Sequence, residues 1–513
     1  MAIGAYFRLA RAGYVLAREG AFSIVDPKMV PPSARAGVAL ARLIERRSAR
    51  GRPRAERLAT ALQRLGPTYV KFAQTLSTRP DIVGIEIARD LSVLQDRMPP
   101  FDAALVPGLL AEALGPRAAT LIDIGPPVAA ASVAQVHRAV VVDASGTRRP
   151  VAVKVLRPAI RERFLADLDS YFAAARWMER LVPAMRRLRP VDVVDTLRRS
   201  ALVELDLRLE GAAISEMTGN IAKDEGFTLP SVDWDHTAET VLTTTWIDGI
   251  PIADIAALDA AGLDRRDLAR KVLQSFLRHA IRDGYFHADM HPGNLFVEPA
   301  TARIVAVDFG IMGRLTRPER RFLADIVYGF ITRDYRQIAL RHFELGYVPS
   351  DKSLEDFALA LRAIGEPLHG RKANDISMAR VLGQLFTTTE LFDMQTRPEL
   401  VLLQKSMVLV EGVARNLDPD LDIWSIAEPV VGDWVRREAG PLGRLEDLSS
   451  RLREAGEMFS RLPAMVERGE RLLADEEARR IDADTLPVPG WLLTLATILL
   501  VGVLLVSLLQ MLF

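Results

Sequence analysis

The chain has 513 residues, which is long enough for two to four domains and a large buried core. Hydrophobic residues make up 49% of the chain and charged residues 26%, which excludes an intrinsically disordered protein. The 66 basic residues balance the 66 acidic ones, so the charge gives no support to a nucleic-acid binder. The absence of cysteine excludes disulfides, thiolate zinc sites and a cysteine nucleophile.

Residues 1–64 are predicted to form a basic, helical N-terminal segment. Between Met1 and Arg57, basic residues outnumber acidic ones, and aromatic residues such as Phe7 and Tyr14 fit a helical pattern. Amphipathic helices of this kind suit either an anionic membrane surface or a solvated basic face that packs on the rest of the protein. The segment lacks an uninterrupted apolar core, so no secretory signal is predicted.

Residues 65–120 predict a helical extension in front of the first strands. Gly66-Pro67 begins one helix, on which Lys71 and Gln74 lie three residues apart on the same face. A second helix follows and ends before Pro99. By composition alone, both are ordinary amphipathic helices.

Residues 121–250 predict a small sheet interrupted by helices. Two β-branched runs flank the turn Asp143-Ala144-Ser145-Gly146, and the second run ends in Val151-Ala152-Val153-Lys154. This ending is a near copy of the V-A-I-K strand, whose lysine contacts the α- and β-phosphates of a nucleotide. A lone strand lysine is usually just solvent-exposed, but its position ahead of a kinase-like catalytic pattern favours phosphate binding by Lys154.

A run of small residues precedes Lys154 and is predicted to form the loop that contacts the phosphates. Its members are Ala129, Ala130, Ala131, Ser132, Val133, Ala134, Gln135, Val136 and His137. Small side chains allow backbone N–H groups to approach phosphate, but alanine disfavours most of the positive-φ geometries that glycine allows. We therefore expect a nucleotide cradle that differs from the glycine-rich loop of ordinary kinases.

The helices predicted from residue 160 to about residue 217 end in an acidic run that contains Glu204, Asp206 and Glu210. One of these acids is expected to pair with Lys154, as a helix glutamate pairs with the strand lysine in kinases. The alternative is that these acidic residues merely lie on the solvent-exposed surface of a helix, because an exposed helix surface is also rich in charged residues.

Two further strands are predicted between Leu229 and Ile250. They end at Trp246-Ile247-Asp248-Gly249, which suits a hinge whose backbone groups contact an adenine base. Trp246 and Ile247 are therefore predicted nucleotide-binding residues. A long helix from Asp267 to Asp283 then leads to the next motif.

Residues 284–310 carry the strongest functional signal. Residues 287–294 read HADMHPGN and fit the H-x-D-x-x-x-x-N spacing of a kinase catalytic loop, and Asp308-Phe309-Gly310 follows a β-branched run as a metal-binding D-F-G does. Either motif alone occurs by chance, but their order and spacing make chance a poor explanation. Phosphoryl transfer needs a carboxylate near the acceptor and ligands for Mg²⁺ on the phosphates. Asp289 is predicted to fill the first role, and Asn294 and Asp308 the second.

Residues 251–480 are predicted to form a mostly helical C-terminal lobe. Neither an A-P-E motif nor a long activation segment follows Asp308, so the usual platform for a peptide substrate is not visible. His287 and His291 lie four residues apart, but Pro292-Gly293 argues against a regular helix that would present both rings to a metal.

The C-terminal run Trp491–Phe513 is predicted to be a transmembrane helix. It has no charged residue in 23 positions, and about 20 apolar residues span a bilayer. A buried core helix is the alternative. Arg479 and Arg480 precede the run and no basic residue follows it, so the positive-inside rule places the globular part in the cytoplasm, with a single-pass anchor in the inner membrane.

These motifs resemble the UbiB family of atypical protein-kinase-like proteins, which is associated with ubiquinone biosynthesis. The resemblance covers residues 65–315, and the terminal apolar run agrees with membrane-anchored bacterial members. The family's K-x-G-Q signature corresponds to Lys71-Phe72-Ala73-Gln74, in which Ala73 replaces the glycine, and its E-x-D element to Glu204-Leu205-Asp206. The alanine-rich loop, HADMHPGN and D-F-G complete the set.

The resemblance implies roles for residues that the patterns alone do not assign. The K-x-G-Q helices would fold over the active site and occlude the place of a protein substrate. Lys71 and Gln74 would then reach the nucleotide pocket as part of the catalytic group, with Lys71 near Glu204 and with Glu210 as the partner of Lys154. Ala73 adds a methyl group where the family has glycine, so the packing of this helix over the alanine-rich loop is expected to differ from that in the family.

The resemblance also implies the fold and the activity. The expected fold is α+β, a protein-kinase-like two-lobe structure with an N-terminal helical extension and a C-terminal transmembrane helix. The expected activity is binding of ATP or ADP with Mg²⁺ and hydrolysis or transfer of the ATP γ-phosphate, not onto proteins, in support of ubiquinone biosynthesis. The implied partners are inner-membrane lipid, quinone or isoprenoid intermediates and a ubiquinone-biosynthesis enzyme complex. A homodimer is left open.

Two other functions are compatible with the same residues. In the first, the protein is a kinase for a small molecule or a lipid, and Asp289 is the base for a hydroxyl acceptor. In the second, it is a non-catalytic scaffold that senses nucleotide within a membrane enzyme complex. Phosphate release by the Asp289→Asn variant distinguishes catalysis from scaffolding.

Overall fold

N-terminal helices lead into the first β-sheet. The computed structural model describes residues 2–23, 35–77, 90–91, 98–181, 189–368, 388, 391–394 and 398–439. The helices before the sheet are α1 (Ala2–Arg18), α2 (Arg35–Leu43), α3 (Arg54–Leu65), α4 (Pro67–Ser77) and α5 (Val106–Leu114). Gly66 turns the chain between α3 and α4 with φ of +116°, and Pro67 begins α4 where its missing N–H costs nothing.

Helix α4, which carries Lys71 and Gln74, is packed into the main hydrophobic core. Its buried Tyr69 meets Tyr171 edge-to-face, with ring centroids 5.2 Å apart, and Phe72 stacks on Tyr171 at 5.0 Å. Ala73 is almost fully buried in the same core. Aromatic contacts of this kind add to the area that is buried, so they fix α4 in place over the rest of the molecule.

The first sheet contains the strands that precede the hinge. They are β1 (Leu121–Ile122), β2 (Pro127–Ala130), β3 (Ala134–Val142), β4 (Arg148–Leu156) and β6 (Val241–Thr245). The order is β1-β3-β4-β6, with β2 paired to β3, and the described pairs are antiparallel. The hairpin predicted around the turn at residues 143–146 is therefore confirmed, and its strands are β3 and β4.

Alternation along the central strands separates two faces of this sheet. Val151, Val153 and Val155 of β4 pack with Val106 and Leu110 of α5, which covers one face. Side chains alternate between the faces of a strand, so Lys154 points away from α5. Its cross-strand neighbours on β3 and β6 are Val136 and Leu242, which share the Lys154 face.

Helices are inserted between β4 and β6. They are α6 (Ile160–Leu181), α7 (Pro190–Glu204) and α8 (Leu207–Asn220), which agrees with the predicted helical stretch. Between Leu229 and Ile250 the structure has β6 and only the start of the two-residue β7 (Ile250–Pro251), so the prediction of two full strands is wrong. The missing strand is β5 (Phe227–Thr228), which lies just before that range and pairs in the second sheet.

The second sheet and a short strand pair position the catalytic motifs. The sheet has the order β5-β10-β9-β7, with β9 at Leu295–Glu298 and β10 at Arg303–Ala306, and β8 (Tyr285–His287) pairs with β11 (Met312–Arg314). Helices α9 (Ile255–Ala260) and α10 (Arg265–Leu277) precede β8. A π-helical turn, Arg278–Asp283, and Gly284 at φ +66° connect α10 to β8.

The C-terminal part that the structure describes is helical. Its helices are α11 (Arg317–Thr332), α12 (Tyr335–Glu344), α13 (Leu354–Gly365), α14 (Pro398–Leu417) and α15 (Ile423–Ala439). A capping box begins α11, because Thr316 and Glu319 bond reciprocally and satisfy free N–H groups. Leucine and valine residues of α14 join the same core as α10.

Several predictions fall on residues without a described placement. The apolar run Trp491–Phe513, the predicted helical stretch beyond Ala439 and most of the second helix of the K-x-G-Q extension lie outside the described residues. Among the residues that the structure describes, none of the helices combines the length and the apolar character that a membrane span requires.

Candidate functional site

An ion-pair cluster joins the two sheets at the centre of the molecule. The Lys154 ammonium on β4 lies 2.9 Å from both carboxylate oxygens of Glu210 on α8 and 2.9 Å from Oδ1 of Asp308, which follows β10. The expected pairing of Lys154 with Glu210 is therefore present. These three side chains link β4, α8 and the segment after β10, and the Asp308 carboxylate is 43% exposed. We call the solvent-facing side of this cluster the cleft.

The charges in this cluster are strongly coupled. Burial alone would lower the pKa of Lys154, but the charges of Asp308 and Glu210 outweigh it and raise that pKa. Burial alone would raise the pKa of Asp308, but the Lys154 charge dominates, so the pKa of Asp308 is lowered. Burial dominates for Glu210 and raises its pKa. Lys154 and Asp308 are therefore both charged at neutral pH.

Asp206 and Glu210 of the acidic run have different roles because they occupy different positions at the start of helix α8. Asp206 caps the helix, because its side chain accepts a hydrogen bond from Arg208 N at 3.1 Å. Glu210 lies one turn further on and also accepts from the backbone N–H of Phe309 at 3.2 Å. Glu210 thus binds both the strand lysine and the D-F-G segment, whereas the Asp206 carboxylate pairs with Arg208 at 2.7 Å.

A second lysine–glutamate pair lies beside the first. Lys71 of α4 forms an ion pair with Glu204, the last residue of α7, and both side chains are largely buried. The resemblance implied this pair, and the structure contains it. Gln74 lies half-buried on the next turn of α4, so its predicted contact with nucleotide stays a prediction.

The catalytic-loop motif is held by its first histidine. His287 ends β8, is fully buried, and packs its ring against Phe309 with centroids 4.9 Å apart. Its Nδ1 accepts from Asp289 N–H at 3.1 Å, and its Nε2 lies 3.3 Å from the carbonyl of Val307. Burial lowers the pKa of His287, so the ring is neutral and binds both backbone groups.

Asp289, Asn294 and Asp308 are brought together by backbone hydrogen bonds. Asn294 Nδ2 donates to the carbonyl of Asp289 at 3.1 Å, and Val307 N donates to the carbonyl of Asn294 at 2.9 Å. The second bond places Asn294 next to Asp308. Asp308 has φ of +63°, a left-handed conformation that aspartate tolerates better than most residues, and such strain concentrates at functional sites.

The predicted small-residue loop is mostly strand. Ala129 and Ala130 belong to β2, and residues 134–137 belong to β3, so only residues 131–133 form the turn. None of these three has a positive φ, which agrees with the expected difference from a glycine-rich loop. Ser132 and Val133 are buried, and Ala131 N donates to Ala134 O at 2.8 Å.

Gln135 and His137 do not lie on the Lys154 face of β3. Gln135 accepts from Phe101 N at 3.0 Å and bonds the His137 ring at 2.9 Å, while His137 Nδ1 donates to the carbonyl of Gly125 at 2.8 Å. Both side chains are buried on the face that α5 covers. Period-two alternation places both side chains on the face away from Lys154, and the predicted contact of this segment's backbone with nucleotide stays a prediction.

The hinge connects β6 to β7. Trp246 N donates to the carbonyl of Pro150 at 3.1 Å, and Trp246 Nε1 donates to Asp248 at 2.8 Å. The Arg138 guanidinium lies 5.1 Å from the centre of the Trp246 ring. Trp246 and Ile247 are half-buried, so the predicted backbone contact with adenine stays a prediction.

Comparison with known proteins identifies the family. The model of the ABC1 atypical kinase-like domain matches residues 93–342, and that of the UbiB helical domain matches residues 361–422. A protein of Marinobacter nauticus named "Probable protein kinase UbiB" is 41% identical over 418 residues, which cover 80% of this chain and 76% of that protein. This chain belongs to the UbiB family. The predicted α+β, kinase-like fold is thereby confirmed.

A further relative agrees with this assignment to the UbiB family. A protein of the same name from Xanthomonas axonopodis pv. citri is 40% identical over 421 residues, with the same coverage of both chains. Among solved structures, the complex of Rv3197 with erythromycin from Mycobacterium tuberculosis is 26% identical with a TM-score of 0.48. It covers 73% of this chain and 95% of that one.

Two residues of this UbiB-family chain hold segments of the site in place, although no sequence motif predicts a role for them. Arg157 binds the carbonyl of Ala131 through NH2 at 2.8 Å and the carbonyl of Pro99 at 2.8 Å, so it fixes the turn of the alanine-rich segment. Ser406 of α14 is fully buried and its Oγ lies 3.0 Å from the carbonyl of Ala288 in the catalytic loop. Neither lies in a motif, and only the fold brings them to the site.

Within the described residues, no group of three or more histidine or carboxylate side chains forms a ready-made metal site. Asn294 and Asp308 supply only two side-chain oxygen ligands. Mg²⁺ in nucleotide sites is commonly held by one or two carboxylates together with phosphate oxygens, so a sparse protein donor set fits that ion. UbiB-family membership and this donor set agree with a nucleotide-dependent metal site.

Proposed function

We propose that this chain is an atypical kinase or ATPase that binds a Mg²⁺-nucleotide and hydrolyses or transfers the γ-phosphate of ATP. The observation that carries the proposal is the cluster in which Lys154 lies 2.9 Å from both Glu210 and Asp308. It combines a strand lysine, a helix glutamate and the D-F-G aspartate, the arrangement that kinases need in place for phosphoryl transfer. Family membership supports a kinase-type enzyme.

The charges of the cleft fit a divalent cation with a polyphosphate. The ammonium groups of Lys71 and Lys154 pair with the carboxylates of Glu204, Glu210 and Asp308, and together with Asp289 of the catalytic loop the fully ionised set has a formal charge of −2. A Mg²⁺ ion would neutralise this charge. Asp308, whose pKa is lowered, is available as an ionised ligand across the physiological pH range.

Each residue of the cleft would have a distinct task. Asp308 and Asn294 would hold Mg²⁺, which when bound stabilises the charge on the transferring phosphoryl group. Lys154 would bind phosphate oxygens, and Glu210 keeps its ammonium in position. Asp289, with its carboxylate at the open side of the cleft, would orient the acceptor hydroxyl or water.

The structure also supports an acceptor other than a protein. Strand β11 begins at Met312 and α11 at Arg317, so little chain separates Gly310 from the C-terminal helices. A peptide substrate normally lies on a long activation segment, for which this connection leaves no room. In this proposal α4, which the Lys71–Glu204 pair holds against α7, covers the place of a protein substrate.

We further propose that the protein acts at a membrane and supports ubiquinone synthesis. Trp491–Phe513 would be a single-pass anchor in the inner membrane, and the kinase-like part would lie in the cytoplasm. Membrane lipid and quinone or isoprenoid intermediates are the proposed partners, within an enzyme complex. The full chain should therefore sediment with membranes, and a variant that ends after Gly490 should be released from them.

Phosphate release by the purified full-length protein with Mg²⁺ and liposomes tests the activity. The Asp289→Asn variant should lose most of the release while it keeps nucleotide binding. Equal phosphate release by the wild-type protein and the Asp289→Asn variant would contradict the proposal that this site is catalytic. Nucleotide binding with no turnover by either protein would favour the scaffold function. Transfer of labelled phosphate to an extracted lipid would identify a small-molecule or lipid kinase.

A further inference from the structure

The second histidine of the catalytic loop lies beside the carboxylate of Asp289. His291 Nε2 is 3.8 Å from Asp289 Oδ2, and the His291 Nδ1 accepts a hydrogen bond from Gly293 N–H at 3.0 Å. The two nitrogens of one ring therefore face two different groups. Catalytic hydrogen bonds are often long without substrate and shorten when the complex forms.

The backbone bond fixes which nitrogen carries the proton. Nδ1 accepts from an N–H group, so it has to present a lone pair. The proton of the imidazole is then on Nε2, which is the nitrogen that faces Asp289. His291 thus offers a donor, not an acceptor, to the carboxylate.

The neighbouring residues are suited to this placement of the ring. A Cβ atom at Gly293 would lie 2.7 Å from His291 Cε1 and 3.0 Å from its Nδ1, so any larger residue would displace the ring. Pro292 favours an extended residue before it, and His291 has φ of −77° and ψ of 160°. The sequence His-Pro-Gly therefore forms a unit that holds the imidazole at one position.

The two histidines of the loop hold different parts of the same aspartate. His287 is buried and binds the main-chain N–H of Asp289. His291 is exposed to the cleft and faces its carboxylate. Among the described residues, His291 is the partner that the structure places at the Asp289 side chain itself, whereas Asn294 binds the Asp289 carbonyl.

We propose that His291 is a positioning residue for Asp289, on the basis of the proposed phosphoryl-transfer function. Its Nε2–H binds one carboxylate oxygen and leaves the other to orient the acceptor hydroxyl or water. His291 makes no contact with nucleotide in this role. Its loss therefore slows the chemical step and leaves nucleotide binding unchanged.

Two substitutions distinguish the interaction of His291 with Asp289 from its hydrogen bond with the backbone of Gly293. In His291→Asn, the short amide can still accept from Gly293 N–H, as asparagine does at a helix N-cap, but it cannot reach Asp289. In His291→Ala both interactions are lost. We expect both variants to show a fall in kcat of about 10- to 100-fold, with KM for MgATP and Kd for MgADP within about threefold of wild type.

The decisive test is a double-mutant cycle in the full-length protein with liposomes. If His291 acts through Asp289, then Asp289→Asn/His291→Asn releases phosphate as slowly as Asp289→Asn alone. Wild-type kcat in His291→Asn, or an added loss in the double variant, overturns the inference and leaves the proposed function intact. Equal phosphate release by wild type and Asp289→Asn instead overturns the proposed function, and with it the inference.

Discussion

The two walls of the cleft use different chemistry. The lower wall, formed by Asp289, Asn294 and Asp308, presents polar side chains that backbone bonds hold together. The upper wall, residues 129–137, contains mostly small side chains, and its Gln135 and His137 side chains lie on the face away from Lys154. Sequence motifs therefore correspond to reactive side chains on one wall and partly to buried packing residues on the other.

The difference follows from how each wall is built. The lower-wall residues lie in a turn and at strand ends, where Asp289 and Asp308 are partly exposed and Asn294 is buried. The upper wall is a hairpin, in which alternation sends every second residue to the α5 face. If this comparison is correct, substitutions on the lower wall change turnover and substitutions of the buried polar residues on the upper wall change stability.

The largest effect is expected for Asp308→Asn. Loss of the ionised metal ligand should lower kcat about 10³-fold, which is about 4 kcal/mol of transition-state stabilisation. The fold should stay intact, because Lys154 still pairs with Glu210. Phosphate release and thermal unfolding measure the two effects. Asp235→Asn, the same change at an 88% exposed side chain, is the matched control and should be neutral.

Lys154→Met is expected to affect both function and stability. It leaves the buried Glu210 without its ammonium partner, and breaking a buried pair costs about 3 kcal/mol or more of unfolding free energy. Urea denaturation at neutral pH measures this loss. Adding Glu210→Gln should recover part of the stability and none of the turnover. Full recovery of turnover would show that Lys154 acts only in packing.

Gln135→Leu tests the upper wall directly. It leaves Phe101 N–H and His137 Nε2 without their Gln135 partner, so unfolding free energy should fall by about 2 kcal/mol. The kcat at saturating nucleotide should stay within about threefold of wild type. Val136→Ala changes the neighbouring residue of the same strand on the Lys154 face. It should weaken nucleotide binding, whereas Gln135→Leu should lower stability. A turnover defect confined to Gln135→Leu would contradict the assignment of faces.

The smallest effect is expected for Ala131→Gly. The turn of residues 131–133 has no positive φ, so glycine adds freedom that the structure does not use. We expect a change of about threefold in the affinity for ATP, or altered self-phosphorylation, together with a stability loss below about 1 kcal/mol. Titration with ATP and incubation with labelled ATP measure the two properties. No change in either would count against a nucleotide-binding role for the turn.

The lower wall could be predicted from the sequence because its residues lie close together in the chain. Asp289 and Asn294 belong to one loop, and Asp308 follows the next hairpin, so spacing alone carries the pattern. The pairing of Lys154 with Glu210 and of Lys71 with Glu204 was implied by the family resemblance. Both pairs are present in the structure.

Other contacts could not be predicted because they depend on distant parts of the chain. Ser406 is 118 residues from Ala288, and Arg157 is 58 residues from Pro99. No periodicity or motif links residues so far apart. The faces of Gln135 and His137, in contrast, follow from alternation once the segment is recognised as strand rather than loop.

The buried hydroxyl of Ser406 has a consequence for how the chain can be divided. The two family models end and begin at different residues, 342 and 361, which suggests separable pieces. Yet α14 lies in the same hydrophobic core as α10 and touches the catalytic loop. A fragment that stops at residue 342 would expose the apolar surface of α10. We therefore expect the kinase-like region and the helical region to unfold as one cooperative unit, so that neither folds when it is expressed alone.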